Sequence, residues 1–241
     1  MDERIYNIVT SEEISEIKNE IIKCMSDEGK TQEDWLKFRG INSDLEETFK
    51  NQYMFKHKNI KIAVAGVSSK VGTTTAAFNM TKFLFEIGAK ISYTEANGNE
   101  HLKEIAAYYE FQKVENYYKY NGIEYYPNKQ FPDSYNFNIF DLGSLNSGNV
   151  SIFNSCDIKV LCSRSKPYEL IDLHKALTIL NEGKFNILFS LTVETEKVKI
   201  RKRFESSTYE DHFQEYSPDL FDGKTNEKIY KEIVKEYIIE I

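Results

Sequence analysis

The chain has 241 residues, 41% of them hydrophobic, with 38 acidic and 31 basic side chains and a net charge of −7. That length carries one large domain or one domain with a small appendage, and the hydrophobic share, free of low-complexity tracts, excludes a disordered chain. The acidic balance weighs against a dedicated nucleic-acid binder, and no apolar run reaches the roughly 18 to 20 residues of a membrane span. The opening MDERIYNIVTSEE lacks the apolar core of a signal peptide. With Cys24, Cys156 and Cys162 too far apart for a disulfide framework, this predicts reduced thiols in a cytoplasm. Four scattered histidines and three distant cysteines have no metal-ligand spacing, and no Ser/His/Asp or Cys/His nucleophile set stands out.

Residues 1–57 predict three short helices. Thr10 with Glu13, Thr31 with Asp34, and Ser43 with Glu46 have the spacing of a capping box. Ile14, Ile17, Ile21 and Met25 share one face of the first helix. Trp35, Leu36 and Phe38 belong to the second, which stops near Gly40, and Leu45 and Phe49 belong to the third. Three short helices bury little surface alone, so residues 1–57 read as an N-terminal helical extension lying on the main domain or on a partner.

From residue 58 the pattern alternates. An apolar strand, Ile60 to Val64, runs into a small-residue loop around Gly66 and Gly72, and Thr73 opens an amphipathic helix that stops at Gly88. KISYTEANGN follows as strand and turn, then EHLKEIAAYYEF has helical spacing through Leu102, Ile105, Ala106 and Tyr109. Two aromatic runs (Tyr117, Tyr118, Tyr120; Tyr125, Tyr126) flank Asn121-Gly122, a strong signal for a two-residue hairpin. The tyrosines suit either a binding face or a half-buried edge. YNFNIFDLGSL, CDIKVLCSR and FNILFSLTV are short apolar runs of buried-strand type, with a helix around YELIDLHKALTILNEG between the last two. A closing helix, NEKIYKEIVKEYIIEI, places Ile229, Ile233, Tyr237 and Ile241 on one side for core packing. Strands alternating with helices predict an α/β fold, a doubly wound and mostly parallel sheet spanning 58–241 with a hairpin insertion.

The loop after the first strand of this domain has the anatomy of a phosphate site. Backbone N–H groups at the mouth of a helix enclose an anion, and the helix terminus adds positive potential. Ser68, Ser69, Lys70, Val71, Gly72, Thr73, Thr74 and Thr75 are the candidate ligand-binding residues. In the P-loop pattern G-x-x-x-x-G-K-[ST], however, the phosphate-gripping lysine falls on Thr73, the metal-ligating hydroxyl on Thr74 and the first glycine on Val67. Asp141, at the end of an apolar run, stands where a parallel sheet meets its ligands.

VGTTTAAFN, Val71 to Asn79, resembles the loop and helix of the ParA/MinD group of P-loop ATPases, and further pieces follow in that group's order. ISYTEANGN stands at its second strand and D-x-D turn, NFNIFDLGSL at its Walker B strand ending in Asp141, SCDIKVLCSRSKPYELIDL at a later strand and helix, and YSPDLFDGKTNEKIYKEI at its closing segment. The resemblance covers roughly residues 59 to 241 and implies binding of ATP or ADP with Mg²⁺, held by Thr74 and Asp141, with Glu95 or Asn97 at the catalytic aspartate and a dimer or protein partner. Ser68 and Thr73 replace the group's two lysines, as in atypical members similar to the Tad pilus-localisation type. Since phosphoryl transfer depends on electrostatic positioning, that implies weak or absent hydrolysis and a positioning or scaffold role in a bacterial cytoplasm. A slow ATPase using Lys70 and a nucleotide-free interaction protein are the alternatives. The dense basic run, Lys197, Lys199, Arg201, Lys202 and Arg203, is either a solvated face or a contact to nucleic acid.

Overall fold

The computed structural model describes residues 14–25, 53–128, 133–180, 183–204 and 209–241. The chain divides into two units, Met1–Phe49 and Lys50–Ile241. In the first, helix α1 (Ile14–Cys24) stands where the first apolar stripe predicts it. The second and third helices expected from Trp35 and Leu45, and all three capping boxes, lie outside the described residues. Residues 53–57 fall in the second unit. Tyr53–Phe55 form strand β1, antiparallel to β11 (Ile238–Glu240), and the Lys56 amide donates to the Tyr237 carbonyl at 3.1 Å. A three-residue strand leaves almost no periodic signal in a sequence.

The second unit is built on β2 (Ile60–Gly66), α2 (Thr73–Glu86), β3 (Ile91–Glu95), α3 (His101–Tyr108), β4 (Gln112–Val114), β5 (Tyr117–Tyr120), β6 (Ile123–Tyr126), β7 (Phe137–Ser144), α4 (Val150–Ser155), β8 (Ile158–Arg164), α5 (Leu170–Leu180), β9 (Asn186–Ser190), α6 (Glu194–Phe204), β10 (Glu210–Phe213) and α7 (Glu227–Val234). Nine strands form one sheet in the order β10-β9-β8-β2-β7-β3-β6-β5-β4. All pairs from β10 to β6 are parallel, and β6-β5-β4 turn antiparallel. Alternation along the strands feeds two cores. Ile62, Val64, Ile139 and Val160 join Phe78, Met80, Phe83 and Tyr230 on one face. Ala63, Ala65, Phe140 and Leu161 join Phe153, Leu173 and Ile200 on the other. Burial on both faces is why the central strands read as unbroken apolar runs.

The expected hairpin is present, with Asn121 and Gly122 both at positive φ (47° and 80°) as a type I′ turn requires. It does not stand apart, because β6 pairs with β3 and carries the sheet outward. The closing helix is shorter than its periodicity predicts. It ends at Val234, and Ile238–Glu240 extend along β1 instead. Two β-branched residues, Ile238 and Ile239, beside an edge strand favour pairing over another helical turn. The order in which strands are added to the sheet reverses at β2, which has β7 on one side and β8 on the other. A crevice at the carboxyl ends of the strands at such a point is where open α/β sheets take their ligands.

Candidate functional site

The loop between β2 and α2 starts from a fixed base. The Val67 amide donates to the Cys162 carbonyl at 2.9 Å, and the Leu145 amide donates to the Gly66 carbonyl at 2.8 Å, tying the loop entrance to both neighbouring strands. A Cβ at Gly66 would lie 2.3 Å from Thr73 Oγ1 and 2.7 Å from Val71 Cγ2, so only glycine lets the loop fold back this closely. Lys70 and Gly72 take left-handed backbone at φ 61° and 95°, and Gly72 is the N-cap of α2 without a side-chain cap. Among the described residues the amides of Thr73, Thr74 and Thr75 meet no acceptor, which leaves the helix terminus with donors to offer.

Seven of the eight loop residues singled out in the sequence, Ser68, Ser69, Lys70, Gly72, Thr73, Thr74 and Thr75, line one open cleft of about 590 Å³, together with Asn99, His101, Gly143 and Ser144. That volume lies within the range of small-molecule sites. Val71 instead sends its side chain into the core, where it is buried. The hollow is therefore not plugged by the loop's own side chains.

Asp141 lies beneath this cleft, fully buried within β7, which runs on to Ser144 instead of ending at the aspartate as the sequence predicts. Its Oδ2 accepts from Thr74 Oγ1 at 2.7 Å and from the Tyr93 hydroxyl at 2.9 Å, and its Oδ1 accepts from the Gly143 amide at 2.9 Å. Burial, reinforced by the neighbouring Asp141 charge, pushes the Tyr93 hydroxyl well above its ordinary pKa and keeps it a donor. Thr74 and Asp141, paired in the sequence reading, are thus brought together. Glu95 is not part of that pair. It is 2% exposed, and its two oxygens accept from the His101 and Leu102 amides at 2.8 and 3.3 Å, so it caps α3. Burial raises its pKa against those two hydrogen bonds. Asn97 donates to the Asp141 carbonyl at 3.3 Å and accepts from the Asn99 amide at 2.9 Å.

A second, smaller cleft of about 140 Å³ adjoins the first through the shared residues Lys70, Gly72 and Thr75, and reaches Arg164, Leu191 and Tyr216. Its far rim is held by Asn226, whose side chain accepts from the Glu215 amide and donates to the Glu215 carbonyl, and by Asp222, which accepts from Ser217 and from the Lys224 and Thr225 amides. Arg164 ends β8 and donates from Nη2 to the Lys70 carbonyl at 2.8 Å. Neither Arg164 nor Tyr93 was singled out from the sequence. A charged residue closing an apolar strand marks Arg164; nothing distinguishes Tyr93 from a core aromatic.

The basic run forms part of α6, and much of its charge is satisfied within the chain. Lys197 pairs with Glu194 and lies over Phe213, Arg201 lies 3.7 Å from Asp211, and Arg203 donates to His174 Nε2. In the hairpin, Tyr125 is buried against Phe78 and Tyr93, Tyr120 stacks on Phe111, and Tyr117 stacks on Tyr126. Of the two expectations for these tyrosines, edge packing accounts for the contacts.

The sequence matches no family model and no curated relative. Solved structures do share the architecture. A plasmid partition protein from Borrelia burgdorferi superposes with a TM-score of 0.56 at 10% identity, over 75% of this chain and 100% of its own. A plasmid partition protein from Borrelia burgdorferi B31, solved bound to AMPPNP, gives 0.54 at 13% identity over 74% and 98%. The MinC:MinD cell division complex of Aquifex aeolicus gives 0.52 at 13% identity over 69% and 87%. A central parallel sheet, a loop at its point of reversal and these structural likenesses identify the second unit as a P-loop NTPase fold of the ParA/MinD type.

Proposed function

We propose that this chain binds an adenine nucleotide with Mg²⁺ at the Ser68–Thr75 loop and turns it over weakly or not at all. In this role it is a cytoplasmic bacterial component, dimeric or held by a protein partner, that positions another assembly. One observation carries the nucleotide reading: the loop stays open over a cleft lined by its own small residues, with unpaired α2 amides at the mouth and the Thr74–Asp141 pair beneath. The likeness to a partition protein solved with AMPPNP supports the ligand class, and the likeness to a MinC:MinD complex supports a protein partner. The N-terminal residues, α1 among them, are proposed as a helical extension ahead of this domain.

The residues present fit Mg²⁺ of the kind held by nucleotide phosphates. Magnesium takes one or two protein oxygens and fills its remaining positions with phosphate and water. Thr74 supplies a hydroxyl, and Asp141, with three of its roughly four acceptor positions taken, keeps one acceptor position that a metal-bound water would use. Bound with nucleotide, the ion would neutralise phosphate charge. The chain's own groups then orient: α2 amides enclose the phosphate, Asp141 aims the Thr74 hydroxyl, and Tyr93 fixes Asp141.

Slow chemistry has its own support. Among the described residues no carboxylate lines the larger cleft, Glu95 spends both oxygens on α3, and threonine stands at the lysine position. Calorimetric titration with MgATP and MgADP, paired with single-turnover hydrolysis of labelled ATP, tests both halves. The expected result is saturable heat below millimolar ligand and hydrolysis slower than nucleotide release. A flat trace with both ligands contradicts the nucleotide reading, and rapid single-turnover cleavage contradicts the scaffold reading.

A further inference from the structure

Replacing both loop lysines leaves a nucleotide's phosphate chain without its usual cation, yet one guanidinium already touches the loop. Arg164 reaches it from β8, 94 residues away in sequence, through the 2.8 Å bond from Nη2 to the Lys70 carbonyl. Its Nη1 lies 3.5 Å from Glu169 Oε1, a long contact that leaves this edge weakly held. Its Nε is buried and has no partner. An arginine has five N–H donors in a planar fork, so holding one carbonyl uses a small part of what this residue can give. The side chain lines the smaller cleft beside Gly72 and Thr75, the residues that join this cleft to the phosphate hollow.

Resting on nucleotide binding at the loop, we propose that Arg164 is the cation of this site, taking over from β8 the phosphate contact that lysine makes from within an ordinary loop. The Lys70 carbonyl and Glu169 hold the guanidinium in place, and the remaining N–H groups of Nη1 and Nη2 meet the phosphate chain on the side facing the smaller cleft. A rigid fork suits this double task, because one edge can stay on the loop while another binds an anion. Lysine also has three donors, but on a compact charge at the end of a flexible stem, without the planar edge that meets two phosphate oxygens together.

Competition against a fluorescent ADP analogue tests the assignment, with ADP, ATP and adenosine as competitors of wild type, Arg164→Ala, Arg164→Gln and Arg164→Lys. The expected result is a loss of about tenfold or more in ADP and ATP affinity for the alanine and glutamine variants. Adenosine, which has no phosphate, should bind all four proteins alike. Wild-type affinity for ADP should also fall more steeply with salt than that of Arg164→Ala. Equal ADP affinity in wild type and Arg164→Ala overturns the proposal while leaving nucleotide binding intact. Equal losses for ADP and adenosine also overturn it, reducing Arg164 to a staple of the loop. Failure of the wild type to bind the analogue or any competitor removes the nucleotide reading and this proposal with it. Urea unfolding of each variant reports folding, and if Arg164→Ala does not fold, Arg164→Gln supplies the same comparison, with Arg164→Lys expected to lose less than either because it keeps the charge.

Discussion

Asp141 is the residue on which the floor of the cleft depends, since three donors from three separate segments converge on it: Thr74 from α2, Tyr93 from β3 and the Gly143 amide from its own strand. Removing it strands the buried Tyr93 hydroxyl and the Gly143 amide, while the Thr74 hydroxyl still borders the open cleft. Asp141→Ala should therefore cost about 2–4 kcal/mol in urea unfolding, whereas Tyr93→Phe, which loses one hydroxyl and leaves Asp141 two donors, should cost about 1 kcal/mol. Equal costs would mean that the carboxylate is not the hub. The two loop glycines differ in kind. At Gly66 a Cβ collides with Thr73 and Val71, so Gly66→Ala must displace the loop and should cost about 1–3 kcal/mol. At Gly72 a Cβ meets nothing within 4 Å, and the cost of about 1–2 kcal/mol comes from φ of 95° alone. Gly72→Ala should accordingly keep its ligand affinity more nearly intact than Gly66→Ala, which binding measurements on the two purified variants would check.

Elements set where those residues stand, and here the sequence was readable in some places and silent in others. The loop and the Asn121-Gly122 hairpin follow from local signals: small residues between an apolar run and a helix, and a dipeptide suited to positive φ; Asp141, expected at a strand's end, lies within β7, which continues to Ser144. Glu95 was ambiguous because a carboxylate before a turn serves equally as a catalytic group or as a cap; only the positions of the His101 and Leu102 amides decide for the cap. Glu95→Ala should then lower stability by about 1–2 kcal/mol through α3 and leave single-turnover hydrolysis unchanged. The grip of Arg164 on Lys70 and the pairing of β1 with β11 join residues distant in sequence, which no local pattern encodes. The cleft rim has a pH signature. Burial works against the Asp222 carboxylate, but bonds from Ser217, Thr225 and Lys224 outweigh it and hold its pKa down to about 2. A depressed acid stabilises the fold above its unfolded value of about 4 and loses that contribution as pH falls toward 2. The stability gap between wild type and Asp222→Asn should thus be largest near neutrality and narrow below about pH 4. A gap independent of pH would show that the charge on Asp222 plays no part.

For the molecule as a whole, the fold and the site carry different weight. An architecture shared at 10–13% identity with partition and cell-division proteins shows the fold, while function depends on the groups the chain places on it. Those groups combine helix-end amides, one hydroxyl–carboxylate pair and an arginine from β8, with no free carboxylate among the described lining residues of the larger cleft. Under the proposed function, such a set would hold a nucleotide more readily than split it. The net charge of −7, with Lys197, Arg201 and Arg203 engaged inside α6 and its neighbours, gives little field for a polyanion. The central claim is that the α2 terminus encloses phosphate, and amide-resolved NMR of the full chain titrated with MgADP addresses it most directly. The account predicts large, saturable shifts at the Gly72, Thr73 and Thr74 amides, with smaller ones along β8 near Arg164. Unmoved amides at those three residues at millimolar MgADP would contradict it.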